Sequence, residues 1–191
     1  MEGTALRSAP RLPCPRLIVL TGPPGAGKSA LALHLSQPLG LPLMARDQFK
    51  AGCVATAGQG HDGLPPDTNR QVNAVFFSVV RAMARAGISL LAEAAFQHPL
   101  WHEGLGPLVG LADIRFIVCE LPAAERERRL LRRAASDPGH ARLHGRSPMQ
   151  DAYERPRFGT ACLAVDTSAG YAPPLETILA FAAGVPPGLG T

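Results

Sequence analysis

The run Gly22-Pro23-Pro24-Gly25-Ala26-Gly27-Lys28-Ser29 fits the pattern G-x-x-x-x-G-K-[ST] at every fixed position. Its flanks make it a strong constraint on the fold. Arg16-Leu17-Ile18-Val19-Leu20-Thr21 reads as a buried strand, and Ser29-Ala30-Leu31-Ala32-Leu33-His34-Leu35 reads as a helix. A strand, a glycine-rich turn and a helix in this order face several backbone N–H groups inward as an anion nest. The helix N-terminus adds partial positive charge. In such a loop Lys28 reaches β- and γ-phosphates and the Ser29 hydroxyl binds Mg²⁺. The expected nucleotide-contacting residues are Gly22, Pro23, Pro24, Gly25, Ala26, Gly27, Lys28, Ser29 and Ala30. The alternative is a Gly/Pro turn that happens to precede a lysine, and it leaves the strand and helix on either side unexplained.

Apolar runs alternate with helical ones along the rest of the chain. Further strands are expected at Leu41–Ala45, Ile88–Glu93, Asp113–Cys119 and Ala161–Asp166. Helices are expected at Thr68–Ala86, Leu100–Leu111, Pro122–Ala135, Met149–Arg155 and Leu175–Ala183. The first of these five helices should bury Val72, Val75, Phe76, Val79, Val80 and Met83 on one face. Gly52–Pro66, rich in Gly, Ala and Pro, reads as a long functional loop. Five apolar strands separated by helices predict an α/β fold, a five-stranded parallel sheet with helices on both faces. A chain of 191 residues suggests one domain. It is expected to span residues 16–184, after a flexible leader at 1–15 and before a tail at 185–191, with a lid near 126–148. Ligand should lie outside the carboxyl ends of the strands, where Thr21, Asp47, Glu93, Glu120 and Asp166 fall.

Charge and cysteine usage narrow the setting. The net charge is +4, and Arg126, Arg128, Arg129, Arg132 and Arg133 crowd one segment. Such a cluster suits phosphate-rich ligands, and a solvated helix face with a Glu125–Arg129 pair is the alternative. No basic stripe interleaved with aromatics is present, so a nucleic-acid partner is not favoured. No apolar run reaches the length of a membrane span. The four scattered cysteines, with Cys119 and Cys162 expected in the core, fit a reduced, cytoplasmic setting. His98 with His102, and His140 with His144, have helical metal spacing but no further ligand beside them.

A phosphate loop gives nucleotide binding and not yet a reaction. The only lysines are Lys28 and Lys50, so a guanine-reading Asn-Lys-x-Asp segment is absent. Asp47 follows the second strand and should face Lys28 across the site. There it could accept the proton of an attacking hydroxyl, or else cap the turn into Gln48. Glu93 could hold Mg²⁺, bond a substrate hydroxyl, or pair with Arg46. Arg129, Arg132 and Arg133 could neutralise phosphoryl charge in the transition state, with Arg133 and Arg129 the chosen pair. Asp166 and Thr167 could edge an adenine.

Taken with Arg46-Asp47, Val79–Phe96, Arg129-Leu130-Leu131-Arg132-Arg133 and Val165-Asp166-Thr167-Ser168, the phosphate loop shows a family likeness. From Leu17 to Phe181 the chain resembles the small P-loop kinases that phosphorylate hydroxyl groups. These include chloramphenicol phosphotransferase and the kinase domain of polynucleotide kinases. The resemblance implies a P-loop nucleoside-triphosphate hydrolase fold of kinase type, ATP and Mg²⁺ as co-substrate and cofactor, and Asp47 as base. It implies a small-molecule hydroxyl acceptor and leaves the oligomeric state open. A 5′-hydroxyl polynucleotide kinase, and a nucleotide-binding regulatory protein without transfer activity, are the other readings. In the chloramphenicol phosphotransferase branch the third strand ends in two aspartates, where this chain has Glu93-Ala94.

Overall fold

The computed structural model describes residues 14–58, 60–136 and 153–184. Five strands form one sheet: β1 (Arg16–Thr21), β2 (Leu43–Ala45), β3 (Leu90–Glu93), β4 (Asp113–Glu120) and β5 (Ala161–Asp166). Their order is β2-β3-β1-β4-β5, and every pairing is parallel. Parallel neighbours need crossovers, and the helices supply them. These are α1 (Lys28–Leu39), α2 (Arg46–Ala57), α3 (Thr68–Arg85), α4 (His98–Leu105), α5 (Ala123–Ser136) and α6 (Leu175–Ala183). The α/β parallel-sheet expectation therefore holds.

The central strands explain why the sheet sits inside. Leu17, Ile18, Val19 and Leu20 of β1 are all 0% exposed, as a strand covered on both faces requires. Their alternation feeds two cores. Leu17 and Val19 pack with Phe76, Phe77, Phe96, Trp101 and Phe116 beneath α3 and α4. Ile18 and Leu20 pack with Leu31, Leu35, Val165 and Ile178 beneath α1 and α6. In the first core Trp101 meets Phe96 edge-on at 5.1 Å, one of several aromatic contacts worth about 0.5–1.5 kcal/mol each beyond burial.

Several sequence expectations need correction. Gly52–Pro66 is not one long loop: α2 runs through Ala57 and stops at Gly58, whose φ is 68°. Residues 51–57 are small and lack an apolar period. The helix is tied to α3 in its first turns, by Arg46 to Asn69 and Asn73 and by Phe49 against Phe76, and runs on through them. In α3, Val72, Phe76 and Val80 are buried as expected, but Val75 is 52% exposed, and Phe77 is buried on the other flank. Cys119 is buried, whereas Cys162 is exposed because β5 is an edge strand. The helix expected from Leu100 begins earlier, at His98, and ends at Leu105. Residues 153–155 are not helical, and the remainder of the helix expected at Met149–Arg155 lies outside the described residues. So do residues 137–148 of the expected lid, His140, His144 and nearly all of the leader. Among the described residues no helix is long and apolar enough to cross a membrane.

Candidate active site

The carboxyl ends of β1, β2, β3 and β4 gather the chemistry. β1 ends at Thr21, and the chain turns at once into Gly22 with φ 139°. A Cβ placed there would stand 2.4 Å from the Cys119 carbonyl oxygen. Only glycine tolerates that conformation and that approach. Gly25 is similarly pressed: its Cβ would lie 3.0 Å from the Arg126 carbonyl of α5. We expect Gly22→Ala to destabilise the fold by roughly 2–4 kcal/mol, from backbone strain and the clash together. Denaturant unfolding against wild type checks this, and an unchanged midpoint would refute it.

Lys28 opens α1 and is only 8% exposed. Its Nζ donates to the Pro23 carbonyl at 3.0 Å, so the lysine reaches back over its own loop. Burial holds its pKa below the usual lysine range, opposed by the charges of Glu93 and Asp47. Ser29 Oγ lies 3.5 Å from Glu93 Oε2. Glu93, at the end of β3, is 5% exposed. Burial raises its pKa; Lys28 opposes the shift, and Asp47 reinforces it. The Ser29 hydroxyl and Glu93 carboxylate are hard oxygen donors of the kind that would suit Mg²⁺. Among the described residues no group of three His, Cys, Asp or Glu side chains could hold a metal.

Asp47 lies in the first turn of α2, with its side chain half exposed. Arg46 Nη1 donates to Asp47 Oδ1 at 3.2 Å. Arg46 is itself held by Asn73 Oδ1 at 3.0 Å and Asn69 Oδ1 at 2.8 Å, both on α3. Arg46 thus partners Asp47 and the two asparagines, and not Glu93. Sequence reasoning missed this clamp, although the four-residue spacing of Asn69 and Asn73 marked one helix face. It also gave no role to Lys50, which is buried on α2 with its pKa lowered by burial and by Arg46.

The arginines of α5 divide. Arg129 Nη2 donates to the carbonyls of Thr167 at 2.7 Å and Ser168 at 3.2 Å, and its Nε donates to Glu125. It is anchored to the loop after β5, not free on a lid. Arg133 lies close enough to the phosphate loop for its charge to act on Lys28 and Glu93. Arg126 is buried, and Arg128 pairs with Glu125 on the exposed face of α5. Thr167 Oγ1 donates to the Ala26 carbonyl at 3.0 Å, tying that loop to the phosphate loop. The Asp166 carboxylate accepts from the Ser168 amide. The structure brings Ser29 to Glu93 beside Lys28, puts the charges of Asp47 and Arg133 in the field that they feel, and ties Thr167 to the phosphate loop with Arg129 on the same loop after β5.

A family model described as an AAA domain matches residues 17–156. The chain belongs to that family. The match starts in β1 and takes in the phosphate loop, Asp47, Glu93 and the α5 arginines. No curated protein matches this AAA-domain chain significantly. Among solved structures, a candidate kinase from Chloroflexus aurantiacus superposes with a TM-score of 0.75 at 22% identity, over 90% of this chain and 98% of that one. The APS kinase CysC of Mycobacterium tuberculosis, in complex with AMPPNP and APS, gives 0.60 at 17% identity, over 90% and 99%. A gluconokinase from Sinorhizobium meliloti gives 0.57 at 18% identity, over 90% and 91%. At these identities the likeness shows the fold, a P-loop fold of kinase type.

Proposed function

We propose that this AAA-domain protein is an ATP- and Mg²⁺-dependent phosphotransferase. It moves the γ-phosphoryl group to a hydroxyl of a small molecule, such as an antibiotic or metabolite. The observation that carries the reading is the placement of Asp47. Its carboxylate, held by Arg46, follows β2, two strands from the phosphate loop in the sheet order, and its charge acts on Lys28 and Glu93. A protein that only holds nucleotide needs the loop and not the facing carboxylate.

The loop from Gly22 to Ala30 cradles the phosphates through the N–H groups that follow Pro24, and Lys28 takes the β- and γ-oxygens. Ser29 and Glu93 would hold Mg²⁺, which when bound neutralises charge on the phosphate oxygens. Asp47 accepts the proton of the acceptor hydroxyl as it attacks. Arg133 counters the charge that develops on the transferring group. Arg129 and Thr167 shape the nucleotide edge, and Asp166 braces the turn there. The APS kinase and gluconokinase neighbours act on small molecules, which supports the acceptor class. The polynucleotide alternative is less favoured, because residues 51–69 carry no lysine or arginine to track a strand. A reduced, cytoplasmic setting suits both ATP and the free cysteines.

Acceptor-dependent ADP release from MgATP, across a panel of hydroxyl compounds, tests the proposal. Release that no compound stimulates would leave a nucleotide-binding protein. Arg133→Ala is expected to lower kcat on the order of a hundredfold, as loss of a transition-state cation does. Wild-type turnover in that variant would remove the role of Arg133.

A further inference from the structure

Trp101 Nε1 donates to Thr21 Oγ1 at 2.9 Å, and Thr21 Oγ1 lies 2.6 Å from Tyr153 Oη. An indole N–H only donates, whereas each hydroxyl both donates and accepts. Three donors are present: the indole N–H, the Thr21 hydroxyl and the Tyr153 hydroxyl. Two hydrogen bonds use two of them. Whichever way the Thr21–Tyr153 bond runs, one hydroxyl proton is left over among the described residues. Thr21 is 0% exposed, whereas Tyr153 is only partly buried. A spare proton on Thr21 would be a donor stranded in the core, which native structures avoid. Thr21 therefore donates to Tyr153, and the Tyr153 proton is the one to spare.

That proton sits beside the chemistry. Tyr153 Oη meets the last residue of β1, and the Gly22 amide faces the same oxygen. Trp101 and Phe116 place this end of β1 against the core under α3 and α4. Phe49 packs against that core, so α2, whose first turn carries Asp47, flanks the same side of the sheet as Tyr153. The segment carrying Tyr153 is pinned. The Glu154 amide donates to Gln97 Oε1 at 2.5 Å, and the Glu154 carbonyl accepts from the His98 amide at 3.1 Å. Phe158 stacks on Phe116 at 5.0 Å. Burial pushes the phenol up to about 12, so it keeps its proton at neutral pH.

We propose that Tyr153 contacts the phosphoryl acceptor, its Oη–H donating a hydrogen bond to a hydroxyl, carbonyl or carboxylate oxygen of that molecule. The proposal rests on the phosphotransferase reading above. A fixed donor here, with Asp47 on the neighbouring helix, holds a small acceptor at two points and aims its hydroxyl at the γ-phosphate. A spare donor also selects for acceptors that carry a second oxygen.

The test is Tyr153→Phe, assayed with MgATP and gluconate, APS, chloramphenicol and a 5′-hydroxyl oligonucleotide. For whichever compound the wild type phosphorylates, kcat/KM should fall roughly tenfold to a hundredfold, mostly through KM. MgAMPPNP affinity should stay within about twofold, since the hydroxyl serves the acceptor. Unchanged kcat/KM overturns the contact while leaving the kinase reading intact. A matching loss of MgAMPPNP affinity means that Tyr153 serves the phosphate loop instead. Transfer by the wild type to none of the panel overturns both proposals. If Y153F does not fold, wild-type protein carrying 3-fluorotyrosine decides. The chain has two tyrosines, and Y171F identifies the ¹⁹F signal of Tyr153. That signal must move when acceptor joins the MgAMPPNP complex, and a stationary signal overturns the proposal.

Discussion

Lys28→Ala should abolish phosphoryl transfer and weaken MgATP binding. Lys28 is a buried cation at the mouth of a helix, and phosphate oxygens would give it a partner stronger than the Pro23 carbonyl it now meets. Charge-assisted hydrogen bonds contribute about 1.5–3 kcal/mol, so affinity should fall roughly tenfold to a hundredfold. Transfer should fall further, by about three orders of magnitude or more, because charge on the γ-phosphoryl oxygens must be balanced as they depart. The fold itself should survive. Burial already disfavours the charged lysine, as its lowered pKa records, and the alanine removes that penalty. Titration calorimetry with MgAMPPNP, followed by a transfer assay on the same preparation, checks both parts. Wild-type transfer by K28A would end the phosphotransferase reading.

Asp47→Asn should separate binding from chemistry. The loop amides, Lys28 and Ser29 hold the nucleotide, and Asp47 stands on α2 across from them, so MgAMPPNP affinity should stay nearly intact. Transfer to a hydroxyl acceptor should fall by roughly two to four orders of magnitude, the size of a general-base contribution. Slow ATP hydrolysis without acceptor should change much less. The asparagine can keep one bond to the Arg46 guanidinium, so the clamp to Asn69 and Asn73 is preserved and the loss reports the missing base. If affinity and transfer fell together, Asp47 would be a metal or nucleotide residue. If neither changed, Asp47 would only complete the first turn of α2, and Glu93 would be the next candidate.

The phosphate loop and the strands were legible because their causes are local. Gly22 and Gly25 answer to backbone conformation, and Leu17 to Leu20 answer to burial on both faces of a parallel sheet. Helix α5 was legible too, down to the pairing of Glu125 with Arg129 four residues apart. Helix α2 was not, because Ala51 to Ala57 show no apolar period, and its ties to α3 come from Arg46 and Phe49 in its first turns. The hold of Arg129 on Thr167 and Ser168 spans 38 and 39 residues, and nothing near Arg129 in sequence announces it. The same is true of Arg46 with Asn69 and Asn73, and of Thr21 with Tyr153, 132 residues away. Sequence spacing shows which groups a helix can bring together, and only the closed fold shows which distant group each one meets.

The most direct measurement is the fate of the γ-phosphoryl group. Wild-type protein and K28A are incubated with γ-labelled MgATP and the hydroxyl panel, and the products are separated and identified. The account predicts label on a hydroxyl oxygen of one acceptor with the wild type, and none with K28A. Label released only as inorganic phosphate, or left on ATP with every acceptor, would contradict it.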